Sequence, residues 1–125
     1  MGLAQRALKT EAFGSIAKMG AIDMAFLDRV TFSDRALARE VLLLFDRQAE
    51  SLLSIIKDAE GKRMRWETAH KLKGAARGVG AFEVARAAEE IETAEDEIEL
   101  ANAISRLIAR VTEARLALAR LIGNT

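Results

Sequence analysis

Apolar residues recur every three to four positions along nearly the whole chain, the period of a buried helix face. Strict apolar–polar alternation, the mark of a half-buried strand, is almost absent. From about Leu3 to Met19 the pattern is weakly amphipathic, with Leu8, Ala12, Phe13 and Ile16 at helical spacing and Gly20 expected to end it. A short helical turn carrying Met24, Phe26 and Leu27 is expected after Asp23. Ser33 or Asp34 is placed to accept a backbone N–H and cap a long helix running to about Ala59. On that helix Ala38, Leu42, Phe45, Ala49, Leu52, Ile56 and Ala59 form one apolar stripe. Gly61 is expected to stop it, and a new helix to start among Lys62 to Trp66 and end at Gly78-Val79-Gly80, where a glycine suits the left-handed C-terminal position. A third stretch, about Ala81 to Thr93, should bury Val84, Ala88 and Ile91. The last, about Glu97 to Ile122, carries the stripe Leu100, Ile104, Leu107, Val111, Ala114, Leu118 and Leu121.

Four principal amphipathic helices with short connections predict an all-α antiparallel four-helix bundle over residues 21–125, preceded by a helical extension over residues 1–20. Composition agrees: the 125 residues contain no proline, which would break helix interiors. The absence of cysteine excludes a disulfide scaffold, a zinc–thiolate site and an iron–sulfur cluster. Nineteen basic against nineteen acidic residues make the chain a poor general binder of nucleic acid or anionic membrane. The start, Met1 to Arg6, has no apolar segment of a secretory signal, and Arg6 stands where myristoylation wants Ser or Thr. The longest strongly apolar run, Val41 to Phe45, is far short of the ~20 residues of a membrane span. A cytoplasmic protein is expected.

Chemistry concentrates around the only histidine. Ala69, Leu72, Ala76 and Val79 point to one side of their helix, while His70, Lys73, Gly74 and Arg77 share another. An imidazole on a polar face keeps one nitrogen free as a nucleophile at neutral pH. Lys73 and Arg77 suit an anion attached to that nitrogen. Gly74, although it costs a helix about 1 kcal/mol relative to Ala, leaves a flat patch where another protein surface can approach. Singly, each residue has a plainer explanation: a surface histidine, solvated cations, a glycine that relieves crowding. Their coincidence on one stripe favours function.

The run Ala69-His70-Lys71-Leu72-Lys73-Gly74-Ala75-Ala76-Arg77-Gly78-Val79-Gly80-Ala81 closely resembles the signature of histidine-containing phosphotransfer (HPt) domains of bacterial phosphorelays. The family pattern is A-H-x-L-K-G, then small residues, then Gly ten positions beyond the His, where Gly80 stands. Ile91-Glu92 matches the family's Ile/Leu-Glu/Gln pair, and Leu44-Phe45 its upstream Leu-Phe pair. The resemblance runs from about Ala21 to the C-terminus; the start Gly61-Lys62-Arg63-Met64 lacks the family's frequent acidic–aromatic pair. Trp66, one turn before His70, is expected to pack against the first helix rather than to wall the site.

The resemblance implies that His70 accepts a phosphoryl group from a receiver-domain aspartate and passes it to another. Glu92 would accept a hydrogen bond from Nδ1–H and orient the ring, Lys73 would steady the phosphoryl oxygens, and Gly74 would admit the partner. Lys71 and Arg77 would add positive field for docking. Partners would be response-regulator receivers and a (hybrid) sensor histidine kinase, with Mg²⁺ supplied by the receiver and no intrinsic cofactor. The chain has no G-x-x-x-x-G-K-[ST] phosphate loop, so a carrier acting as a monomer is expected rather than an enzyme or kinase. The basic set Lys62, Arg63, Arg65, Lys71, Lys73 and Arg77, set against the acidic stretch Glu89 to Glu99, suits steering toward an acidic receiver pocket.

Two other readings stay open. Glu67 and His70 have the E-x-x-H spacing of di-iron bundles, but that site needs an inward-facing histidine and a second such motif. A binding module whose histidine is never phosphorylated is the other.

Overall fold

Local polar contacts mark several of the helix ends. The computed structural model describes residues 22–123, so the helical extension expected over residues 1–20 lies outside the described residues. Asp23 opens α1 (Met24–Val30), its Oδ1 accepting from the backbone N–H of Phe26. Buried Thr31 donates its hydroxyl to the Leu27 carbonyl at 2.7 Å, and the chain then turns through Phe32 and Ser33, both left-handed at φ 55° and 57°. Of the two candidate caps it is Asp34 that begins α2 (Arg35–Asp58), accepting from Leu37 N–H. Ser33 instead donates its hydroxyl to Asp28.

α2 stops three residues before Gly61. Ala59 turns extended, and its carbonyl accepts from Nη2 of Arg65 at 2.7 Å. Gly61 is the N-cap of α3 (Lys62–Val79) rather than the stop of α2, and its backbone is extended. At the other end of α3, Gly80 takes φ 84° and Ala81 N–H reaches back to the Ala76 carbonyl, closing the last turn. The Gly80 carbonyl accepts from Asp23 N–H at 2.8 Å. A Cβ at Gly80 would stand 2.9 Å from the Asp23 carbonyl oxygen and 3.1 Å from the Phe26 ring. This glycine is therefore needed twice, for its backbone conformation and for the approach of α1.

α4 (Phe82–Thr93) and α5 (Glu97–Gly123) complete the bundle. Each long helix packs on the next and α5 closes on α2, while α1 lies against the C-terminal end of α3. The core follows the stripes read from the sequence: Leu42, Phe45, Ala49 and Ile56 of α2, Ala69, Leu72, Ala76 and Val79 of α3, Val84, Ala88 and Ile91 of α4, Leu107, Val111, Ala114 and Leu118 of α5. Leu52, Leu100, Ile104 and Leu121 are only partly buried at its margin, and Ala103 joins the buried set instead. Arg115 clamps α5 to α2, its Nε donating to Asp46 at 2.7 Å and its Nη2 lying 3.3 Å from Glu50. The Asp46 carboxylate holds the Arg115 pKa above its ordinary value against the opposing effect of burial. No helix of the described residues is long and apolar enough to cross a membrane.

Candidate functional site

Burying Ala69, Leu72, Ala76 and Val79 fixes the rotation of α3 and leaves His70 on the outside of the bundle. The His70 side chain is 57% exposed. Its Nδ1 lies 3.3 Å from Oε2 of Glu92, on the neighbouring face of α4. Lys73, one turn after His70, places Nζ 2.8 Å from the other oxygen, Oε1 of Glu92. Both members of that ion pair are largely covered, Lys73 being 12% and Glu92 9% exposed. The contact is a close charge pair rather than an aligned hydrogen bond.

Burial pushes the Glu92 carboxyl up, but the close approach of the Lys73 ammonium and the hydrogen bond with His70 outweigh it and hold the pKa below its ordinary value. An ionised carboxylate accepts and cannot donate, so the proton of the His70–Glu92 bond belongs to Nδ1. In the tautomer that this bond selects the lone pair is on Nε2, and among the described residues no hydrogen bond reaches that atom. One turn further along, Gly74 is exposed, and a Cβ built there meets nothing within 4 Å. The space beside the imidazole is open.

Residues 40–121 match the family model described as Hpt domain. The chain belongs to the Hpt domain family. Hpt domains are phosphoryl carriers of phosphorelays, working with receiver domains and histidine kinases. No curated protein and no solved structure matches the chain. The match leaves out α1, although α1 packs on the end of α3 and contributes Leu27 to the core.

Trp66 corrects the sequence reading of this Hpt site. It walls the site by stacking on the histidine, the reading that the sequence ranked below packing against the first helix. The side chain is 43% exposed, and its ring lies over His70 with centroids 5.0 Å apart and planes 6° from parallel. On its other flank it rims a hollow shared with Ile91, Glu92 and Leu100. The signal was present in the i, i+4 spacing, because helical side chains lean toward the N-terminus and cover the preceding turn.

The basic set of the Hpt domain is less free than its sequence suggests. Arg63 pairs with Glu67, Arg65 holds the Ala59 carbonyl, and Lys73 is engaged by Glu92. Arg77 lies 3.8 Å from Glu89, both half exposed. Lys71 stays exposed beside Gly74, on a hollow it shares with Arg47, Gln48 and Ser51 of α2. The E-x-x-H reading fails on geometry: Glu67 is turned to Arg63 and His70 faces away from the core, where a bundle metal site would need it. Among the described residues no group of three potential metal ligands comes together.

Proposed function

We propose that this Hpt protein carries a phosphoryl group on Nε2 of His70, taking it from the aspartate of one receiver domain and giving it to the aspartate of another. The observation that supports this most is the Nδ1–Glu92 bond on an exposed imidazole, because it leaves the lone pair on the outward nitrogen. Nε2 attacks the phosphorus of a docked aspartyl phosphate, the Nε2–P bond forms, and the P–O bond to the aspartate breaks and returns a carboxylate. The ring gains positive charge in this step, and ionised Glu92 offsets it. Reversal on a second receiver empties the site.

Phosphoryl transfer depends on in-line placement and on neutralising spread charge. Lys73 serves the second need: held at rest by Glu92, it steadies the phosphoryl oxygens once they arrive one turn away. Gly74 lets the acidic pocket of the receiver close on the imidazole, and any Mg²⁺ would come with the receiver, where it would offset phosphoryl charge. Lys71 and Arg77 contribute weaker docking charge around that approach. The protein acts as a carrier fed by a histidine kinase, with no nucleotide chemistry of its own.

The test is incubation with a phosphorylated receiver domain, reading acid-labile, base-stable label on the protein. Wild type should take label, and His70→Gln should take none while its circular dichroism stays helical. Label that persists in His70→Gln overturns the assignment.

A further inference from the structure

Three residues on one stripe of α3, spaced four apart, differ sharply in bulk: Trp66, His70 and Gly74. The imidazole leans back over the turn that carries Trp66, as helical side chains do, and the two rings lie nearly parallel. On the opposite side, at Gly74, there is only open space. Glu92 holds the ring at one edge through Nδ1. A single hydrogen bond leaves a ring able to tip about that contact. A plate against its face removes that freedom.

We infer that Trp66 is a positioning residue for phosphoryl transfer, clamping the face of His70 so that the Nε2 lone pair stays aimed at a phosphoryl group docked from the Gly74 side. The inference rests on the carrier reading above. Alignment matters because the lone pair lies in the plane of the ring, and in-line displacement requires that plane to point along the breaking P–O bond. Trp66 itself needs no contact with the phosphoryl group. Its half-exposed position leaves the fold little dependent on it, since the apolar core of α3 is on the other side.

A small donor and a docked donor separate this role from its rivals. Phosphoramidate diffuses freely and can orient itself to the ring; a receiver held on the surface cannot. In Trp66→Leu the saturating transfer rate from a phosphorylated receiver should fall roughly two- to tenfold, the worth of one aromatic pair. The receiver concentration for half-maximal rate should stay unchanged, as should the rate with phosphoramidate, in which the P–N bond breaks, Nε2–P forms and ammonia leaves. Trp66→Phe, which keeps a ring to stack, should restore most of the saturating rate. An unchanged saturating rate overturns the inference, as does a change confined to half-saturation, which makes Trp66 a docking contact. An equal loss with phosphoramidate overturns it too, by showing lost reactivity. Wild type that takes no label from any receiver overturns the carrier reading and this inference together, whereas normal transfer by Trp66→Leu removes this inference alone.

Discussion

Lys73 and Glu92 form a nearly enclosed ion pair whose carboxylate also holds His70, so the two charges nearest the imidazole are tied to one another before any phosphoryl group arrives. Removing the ammonium leaves a covered carboxylate with only the imidazole beside it. Lys73→Ala should therefore slow transfer from a receiver and lower stability by about 1 kcal/mol, well under the cost of breaking a fully buried pair because this one sits at the bundle surface. Urea unfolding and transfer rate measured on the same sample decide it. An unchanged transfer rate would move Lys73 into the class of structural charges.

The pH dependence of stability follows from the direction of the Glu92 shift. Its pKa is lowered in the folded protein from the ordinary 4.5, so the native state binds this proton less readily than the unfolded chain. The stabilisation is fully present above that ordinary value and is lost as pH falls through the lowered folded one. The stability difference between wild type and Glu92→Gln should accordingly be constant at neutral pH and shrink in acid below about pH 4.5. A difference that grows on acidification contradicts the assignment of Glu92 as ionised.

Two glycines of the same helix region should respond in opposite ways. Gly80→Ala puts a methyl group against the Asp23 carbonyl and the Phe26 ring at a left-handed residue, and should cost about 2 kcal/mol. Gly74→Ala meets nothing and replaces a poor helix former, so it should raise stability by roughly 0.5–1 kcal/mol. Gly74→Gln should keep the fold while slowing transfer at saturating receiver, because its side chain stands where the partner approaches. Denaturant midpoints for the stability effects, and single-turnover transfer for the last, test each sign.

Phe32 is 85% exposed and sits in a backbone conformation that side chains rarely adopt. Little apolar burial is lost on removing it, and the left-handed residue is relieved. Phe32→Gly should raise stability by about 0.5 kcal/mol, the strain relief being partly offset by the greater freedom of the unfolded chain. A lower melting temperature would mean that the ring makes a stabilising contact.

The helices and their buried faces were legible because burial imposes a period that no other feature of the chain imitates: Leu42 to Ile56 and Leu107 to Leu118 are inside where the pattern puts them. The pairing of His70 with Glu92 was legible only through the family resemblance, since 22 residues separate them and periodicity carries no information across a helix turn. What escaped was contact geometry between side chains of ordinary spacing. Trp66 on His70 and Lys73 on Glu92 depend on rotamers, and Arg65 on the Ala59 carbonyl depends on where α2 gives out. Gly61 was misplaced because glycine serves either end of a helix, and only the extended backbone at Ala59 tells which.

The backbone hydrogen bond from Asp23 N–H to the Gly80 carbonyl joins the front of the described chain to the C-terminal end of the helix that bears the histidine. A pull on the segment that leads into α1 therefore bears on the foot of the histidine's helix through this bond as well as on α2 through the turn that follows α1.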